Sequence, residues 1–162
     1  MGLESGEIHD LVKEKFGDAV VDDQRDVVDP FLVVKPEAIE EIARYCRDES
    51  QLSFDLLSLI SGVDYPDDSK IEVVYGLVST TEVHRLNIKV ALPRGNPRVA
   101  TLEKVWRTAD WLERETYDLV GVTFEGHHNL VRILCAEDWE GHPLRKDYVI
   151  PDTYRGIKNV VY

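Results

Sequence analysis

The chain of 162 residues carries 19 lysines and arginines against 31 aspartates and glutamates, which gives it a formal net charge of −12. This acidity argues against nucleic acid and anionic lipid as direct partners, because both are themselves negatively charged. No stretch approaches the roughly 20 apolar residues of a membrane-spanning helix, and the acidic N-terminus lacks the basic and apolar pattern of a secretion signal.

The first fifty residues alternate between helical and strand-like patterns. Apolar residues recur at helical spacing over residues 8–16 and predict a first amphipathic helix. Two strands are expected at 19–21 and 27–34, and Pro30 within the second indicates an edge strand or a bulge. Pro36 can open a second helix, since proline is well tolerated at the first helical position.

The next part of the chain contains most of the predicted sheet. A dense apolar run at 52–63 favours a buried strand, and a turn follows at 64–68. Apolar residues alternate with polar ones at 71–77 and again at 86–92, which predicts an antiparallel hairpin with one wet face. A short helix is expected at 102–105. Together these elements predict an α+β fold in two layers, with helices packed on one face of a mixed, mostly antiparallel sheet.

A third helix is predicted between Thr108, whose hydroxyl can cap the first turn, and Gly121, which can take the left-handed conformation that ends a helix. One side of this helix combines Trp111 with charged residues, and Arg114 is placed to pair with Asp118 one turn later. Because Trp, Tyr and Arg are the residue types that anchor interfaces, this side is interpreted as a contact face. The alternative is a solvated face with an incidental tryptophan.

After this helix the apolar residues no longer recur at a regular spacing. A short strand at 122–124, a turn at 125–129 and a second strand at 130–134 are expected, followed by an aperiodic loop. This loss of regular spacing indicates that this part of the chain builds a surface and not a core.

Two regions follow from these patterns. Residues 1–148 form a single domain that ends in a signature segment, residues 108–148, rich in tryptophan, histidine and charged residues. Residues 149–162 carry apolar residues without a regular spacing. We expect them to form an extended C-terminal arm that crosses a neighbouring subunit and is poorly ordered alone. Cys46 and Cys135 match no CxxC or iron–sulfur spacing and are expected to pack as small apolar residues in a reducing cytoplasm.

The signature segment is similar to a known family. The runs ERETYDLVGVTFEGHHNLVRIL and EDWEGHPLRKDY, at 113–134 and 137–148, resemble the signature of the C subunits of NADH-quinone oxidoreductase, hydrophilic peripheral-arm subunits of respiratory complex I of the thirty-kilodalton type. Weaker similarity extends to residues before position 113. This chain departs from the usual pattern at Val120, His128 and Val131, where the family usually has an aromatic residue, a proline and a second basic residue.

The resemblance implies a function as well as the same two-layer fold. It implies a structural subunit of proton-translocating NADH:quinone oxidoreductase, without a flavin, iron–sulfur cluster or quinone of its own and without catalytic residues. Such a subunit lies beside the quinone-site subunit and the cluster-bearing subunits, on the cytoplasmic side of the membrane and peripheral to it. The expected partner contacts are Trp111, Glu113, Arg114, Glu115, Tyr117 and Asp118 on the helix, with His127, Arg132, Trp139, Arg145, Lys146 and Asp147 in the following loops.

Two alternatives stay open. The first is the equivalent subunit of a membrane-bound hydrogenase or a deazaflavin-linked dehydrogenase. The second is a free-standing metal or acid/base enzyme that uses His127, His128 and Glu125. The second is disfavoured because adjacent histidines point apart in most backbones and no HxxxH or cysteine pattern lies near them. Nor can Glu113 and Glu115 easily act as an acid/base pair, because residues two apart face different sides of a helix.

Overall fold

The computed structural model describes residues 2–159. Its helices are α1 (Ser5–Phe16), α2 (Ile39–Asp48) and α3 (Ala109–Val120). Its strands are β1 (Val20–Gln24), β2 (Phe31–Val34), β3 (Leu56–Tyr65), β4 (Lys70–Ser79), β5 (His84–Pro93), β6 (Arg98–Ala100), β7 (Thr123–Glu125), β8 (Thr153–Tyr154) and β9 (Ile157–Lys158). No helix among the described residues is long and apolar enough to cross a membrane.

The main sheet has five strands in the order β1-β2-β5-β4-β3. All neighbouring strands are antiparallel except β2 and β5, which are parallel. A second sheet pairs β6 with β7 in parallel, and β8 pairs with β9 as a short hairpin. The predicted α+β fold with a mixed, mostly antiparallel sheet is therefore confirmed.

The core lies between the helices and one face of the main sheet. Val34, Val90, Val73 and Gly62 lie opposite one another across β2, β5, β4 and β3, and the three valines are buried. Gly62 makes room for α3, since a Cβ atom there would lie 3.1 Å from Cγ1 of Val120. Burying each valine contributes about 1.5–3 kcal/mol relative to leaving it exposed.

The locally patterned elements were predicted correctly. The structure confirms the first and second helices and the β4–β5 hairpin. Cys46 is fully buried on α2, as expected, and burial raises the pKa of its thiol to about 12. Pro30 lies directly before β2, but β2 is an internal strand, and the irregular pairing falls in β1 between Val20 and Asp22.

Two elements were misplaced around the third strand. The apolar run at 52–63 begins with the buried residues Leu52 and Phe54, and the strand itself starts only at Leu56. It then continues through Tyr65, past the start of the expected turn, because its last residues pair with β4.

The short helix expected at 102–105 does not form, and two turns take its place. Groups of the segment bond to distant side chains: the N–H of Leu102 donates to Oε1 of Glu113 at 2.6 Å, and the carbonyl of Val105 accepts from Nη1 of Arg47 at 3.0 Å. The carbonyl of Leu102 accepts the N–H groups of Val105 and Trp106 at 2.8 and 2.9 Å, so a single turn forms here but does not continue as a helix.

The strand expected at 130–134 was also wrong, since this segment has no regular structure. In the C-terminal arm the hairpin β8–β9 forms, and the hydroxyl of Tyr154 donates to Oδ1 of Asp138 at 2.8 Å. Residues 160–162 of that arm lie outside the described residues.

Candidate functional site

The candidate site is α3 together with the loop that follows β7, residues 126–148, called here the signature loop. Asp118 lies in the last turn of α3 and its side chain is fully buried. Its Oδ2 accepts the main-chain N–H groups of Ile133 at 3.0 Å and of Leu134 and Cys135 at 2.8 Å each. Its Oδ1 accepts from Nη1 of Arg132 at 2.7 Å.

These contacts decide the charge of Asp118. Burial raises the pKa of its carboxyl, but the hydrogen bonds from Cys135, Arg132 and the neighbouring amides outweigh burial and lower the pKa to about 2. The helix dipole disfavours an anion in the last turn by only about 0.3–1 kcal/mol, so the four donors prevail. Because three consecutive amides point at one carboxylate, they are not available for the strand expected at 130–134.

The last carbonyls of α3 are bound by the signature loop as well. The carbonyl of Asp118 accepts from Nη1 of Arg132 at 3.1 Å and lies 3.0 Å from Nδ1 of His142. Nε of Arg145 donates to the carbonyl of Val120 at 2.8 Å. Burial lowers the pKa of His142, which favours a neutral ring that donates through Nδ1. Carbonyls that a helix end leaves without partners are in this way satisfied by distant side chains.

Gly121 makes this capping arrangement possible. It has a φ of +83°, the left-handed conformation predicted for a helix-ending glycine, and its N–H donates to the carbonyl of Tyr117. A Cβ atom at this position would also lie 2.5 Å from Cδ2 of His142. A side chain here would thus displace the ring that caps the helix.

Glu113 joins α3 to the turn after β6. Its side chain is fully buried, and its carboxylate accepts from the hydroxyl of Thr101 at 2.5 Å and from the N–H of Leu102 at 2.6 Å. Burial raises the pKa of Glu113 to about 7, even though these two hydrogen bonds act in the opposite direction.

A third buried carboxylate, Asp64 near the end of β3, connects the main sheet to the signature loop. Arg94 donates to it twice, from Nε at 2.7 Å and from Nη2 at 3.0 Å, and the N–H of Lys146 donates at 2.9 Å. Nη2 of Arg94 also lies 2.6 Å from Oδ1 of Asp147. The hydrogen bonds from Arg94 lower the pKa of Asp64, so the carboxylate stays ionised.

The structure therefore corrects the predicted contact face on α3. Glu113 and Asp118 are buried inside the chain and do not present their side chains to a partner. The predicted pair of Arg114 with Asp118 does not form, because Asp118 is bound by Arg132. Arg114 instead places its guanidinium 5.1 Å from the ring centre of Trp111 and donates to the carbonyl of Val131 at 3.2 Å.

The other predicted contact residues differ in exposure. Trp111 is 63% exposed. The exposed members of the set are Trp111, Glu115, Lys146 and Asp147, and the half-buried ones are Arg114, Tyr117, Arg132, Trp139 and Arg145. His127 is half-buried as a residue, but its side chain is fully buried. We call Trp111, Arg114, Glu115 and Val131 the α3 patch. The first three are accessible residues of the predicted contact face, and Val131, which was not predicted, is exposed beside them and accepts from Arg114 through its carbonyl.

The two adjacent histidines lie beside a different pair of acids from the one considered in the sequence. Their rings stack at 5.3 Å, where rings that point apart were expected. Glu125 does not join them, because it lies 3.4 Å from Nη1 of Arg98. Glu103 lies there instead, with Oε2 2.7 Å from Nδ1 of His128.

Asp110 is the other acid beside the histidines. Its main-chain carbonyl lies 3.1 Å from Nε2 of His127. Sequence reasoning missed both Glu103 and Asp110, since they stand 25 and 17 residues before the histidines they meet and belong to no spacing motif.

Comparison with known proteins gives the family. The family described as "Respiratory-chain NADH dehydrogenase, 30 Kd subunit" matches residues 32–154. The C subunit of NADH-quinone oxidoreductase from Chloroherpeton thalassium is 45% identical over 150 residues, which cover 91% of this chain but only 62% of that protein. The equivalent protein of Chlorobium phaeobacteroides is 45% identical over 152 residues, covering 93% and 92%.

Solved structures agree in fold. A chain of a membrane-bound sulfane sulfur reductase, an archaeal respiratory membrane complex, has a TM-score of 0.76 at 25% identity and covers 91% of this chain and 87% of its own. A trypsin-resistant fragment of Nqo5 has a TM-score of 0.63 at 30% identity, covering 76% and 98%. With the family match and these identities over most of its length, the chain belongs to the 30 kDa subunit family of respiratory-chain NADH dehydrogenases.

Proposed function

We propose that this chain is a structural subunit of a proton-translocating NADH:quinone oxidoreductase, and that electron transfer from NADH to quinone takes place on cofactors held by its partners. The relatives at 45% identity, which are named as C subunits of NADH-quinone oxidoreductase, support this function. The two cysteines also support it, since an iron–sulfur cluster of the common type takes four cysteine ligands. The subunit lies at the cytoplasmic side of the membrane and is held there by its partners.

The observation that carries the proposal is that three buried carboxylates bind the signature segment to the rest of the chain. Asp118, Glu113 and Asp64 are buried and hold the signature loop, the turn after β6 and the main sheet in one arrangement. Such a network gives the loop a fixed shape. A surface of fixed shape is what a subunit needs in order to hold neighbouring redox centres in register.

The α3 patch is the proposed contact with the quinone-site subunit. Burying an exposed tryptophan on association removes a large apolar area from water, and tryptophan and arginine are enriched among the residues that dominate interface energies. The guanidinium of Arg114 holds the indole of Trp111 in place from one side. Less side-chain entropy is therefore lost when the patch meets its partner.

The test uses the native complex. Trp111→Ala is introduced into the chromosomal copy, the complex is isolated from membranes, and both the amount of this subunit and NADH:quinone reductase activity are measured. We expect the variant chain to be lost from the complex, while the free energy of unfolding of the isolated chain changes by no more than about 0.5 kcal/mol. Tyr65→Ala is the matched control, because Tyr65 is also an exposed aromatic residue with a cation, Lys70, over its ring.

Two results contradict the proposal. The first is normal assembly and activity of the Trp111→Ala complex, which removes the α3 patch as the contact. The second is NADH oxidation by the purified chain alone, or a flavin or iron–sulfur cluster bound to it in stoichiometric amount, which removes the structural role itself.

A second candidate function is the equivalent subunit of another respiratory membrane complex. The structural similarity to a chain of the sulfane sulfur reductase complex favours it, since this fold also occurs in that assembly. The greater identity to the NADH-quinone oxidoreductase relatives favours the first candidate. The electron donor accepted by the isolated native complex distinguishes them, because NADH oxidation coupled to quinone reduction is expected only of the first. A free-standing enzyme built on His127, His128 and Glu125 has no support, since Glu125 pairs with Arg98 and does not join the two histidines.

A further inference from the structure

We propose that Glu103, Asp110, His127 and His128 form a binding site for a divalent transition-metal ion, and that Zn²⁺ is the ion that these donors suit. One ligand atom from each of the four side chains lies within 4.8 Å of every other. Two imidazoles and two carboxylates are donors that Zn²⁺ accepts in tetrahedral sites. This site is separate from the α3 patch and does not depend on the proposed function.

The distances between the donors are close to those of a zinc site. A tetrahedral Zn²⁺ ion with bonds of about 2.0–2.1 Å holds its ligand atoms about 3.3 Å apart. Oε2 of Glu103 lies 2.7 Å from Nδ1 of His128 and 3.8 Å from Nδ1 of His127. Oδ1 of Asp110 lies 3.3 Å from the other ring nitrogen of His127, Nε2. Because one ion takes only one nitrogen of a ring, the fourth ligand has to move, and the four donor atoms, which now lie within 4.8 Å of one another, close to the required spacing by side-chain rotation.

One donor atom has no partner in the present arrangement. Oδ1 of Asp110 is buried and accepts no hydrogen bond, although Nε2 of His127 lies near it, because that nitrogen is hydrogen-bonded to the main-chain carbonyl of Asp110 instead. A buried carboxylate oxygen without a partner is costly. A metal ion bound beside it would give this oxygen a partner.

The rest of the site is held in place in advance. The main-chain N–H of His128 donates to both oxygens of Glu103, at 3.2 and 3.3 Å, so the carboxylate faces the histidines. The side chain of His127 is fully buried, which fixes its ring. Its Nδ1 accepts from the N–H of Asn129 at 3.0 Å. Metal binding replaces this hydrogen bond, because a neutral imidazole has a single lone-pair nitrogen and the metal takes it.

Access and charge also fit a dication. A cavity of about 270 Å³ leads to the site and is lined by Glu103, Lys104, Arg107, Asp110 and His128. Two carboxylates balance the charge of a divalent ion, and the two imidazoles add neutral ligands. Lys104 and Arg107 are exposed at the rim, where water and salt screen their charges. A bound metal would link the turn that carries His127 and His128 to Asp110 at the start of α3 and to Glu103 in the turn after β6.

The experiment is a Zn²⁺ titration of the purified full chain, stripped of metal by a chelator, followed by calorimetry at pH 7.5. We expect one Zn²⁺ per chain. His128→Ala and Glu103→Gln should each weaken binding by at least about tenfold, since even outer-shell changes at metal sites cost 10–100-fold in affinity. Glu125→Gln is the matched control and should bind as the unchanged chain does, because Glu125 lies in the same region but outside the cluster.

Folding and ligand identity are checked separately. His128 is largely exposed, so His128→Ala should unfold at the same temperature as the unchanged chain without zinc and lose only the increase that zinc causes. Co²⁺ in place of Zn²⁺ should give the visible bands of a tetrahedral site without a thiolate charge-transfer band. The proposal is overturned by absence of saturable binding, by equal affinity in His128→Ala, or by a thiolate band that assigns the metal to Cys46 or Cys135.

Discussion

Asp118→Asn tests whether the buried carboxylate holds the signature loop. An asparagine has the same shape but carries one oxygen and one NH₂ group, while Asp118 now accepts from three amides on one side and from Arg132 on the other. Whichever way the amide is turned, its NH₂ group meets a donor. Removing one partner of a buried charge pair costs about 3–5 kcal/mol, and Arg132 is only 16% exposed. We therefore expect the free energy of unfolding at pH 7 to fall by about that amount.

Urea denaturation followed by circular dichroism measures this loss, and amide hydrogen exchange locates it. The amides of Ile133, Leu134 and Cys135 should exchange much faster in the variant than in the unchanged chain. Glu115→Gln, on the exposed side of the same helix, is the control and should change stability by no more than about 0.5 kcal/mol. The assigned role of Asp118 is refuted if Asp118→Asn is as stable as this control, or if the three amides keep their protection.

The pH dependence gives an independent check of the same carboxylate. The pKa of Asp118 is lowered from 3.8 to about 2 in the folded chain. Its stabilisation is thus fully present above about pH 4, is lost as the pH falls through 2, and amounts to about 2 kcal/mol. The difference in the free energy of unfolding between the unchanged chain and Asp118→Asn should therefore become smaller as the pH falls from about 4 to about 2.

Three further predictions concern neighbouring positions. The pKa of Glu113 is raised from 4.5 to about 7, so its contribution to the stability of the folded chain is greatest at acid pH, where this side chain is protonated. This contribution to the free energy of unfolding should fall by about 3 kcal/mol as the pH rises from 4.5 to about 7. Glu113→Gln should remove this pH dependence, which urea denaturation at several pH values measures. Gly121→Ala should cost at least about 1–2 kcal/mol, because the left-handed conformation is unfavourable for alanine and its Cβ would meet His142; thermal melts measure this. Arg94→Ala leaves the buried charge of Asp64 without its main partner, so it should lower the urea midpoint clearly more than Glu115→Gln does.

The fold could be predicted as far as its local patterns reach. The alternation at 71–77 and 86–92 reports one buried face of a strand, so the β4–β5 hairpin was found. The parallel pairing of β2 with β5 could not be predicted in this way, because the residue pattern of one strand does not show which strand lies beside it. Periodicity likewise predicted a helix at 102–105, where the structure forms only a single turn around the carbonyl of Leu102.

The site was harder to predict for a related reason. Sequence patterns assign helix faces by residue type, so Glu113 and Asp118 were placed on the exposed side of α3. Their partners include the main-chain amides of Leu102 and of residues 133–135, and a sequence does not show which side chain a main-chain amide will bond to. The resemblance supplied the family, but the role of each charged residue became visible only from its contacts.

The parallel pairing of β2 with β5 has a consequence for how the chain is made. Pro30 and Asn87, joined by a hydrogen bond of 3.2 Å, are 57 residues apart. Closing so long a loop costs chain entropy before the contacts between the strands can offset that cost. Chains with such pairings therefore fold more slowly than helical bundles of equal length. On a ribosome, the N-terminal hairpin has to wait for β5 to emerge before it gains its neighbour. We expect nascent chains that stop before β5 to remain open to proteases and chaperones.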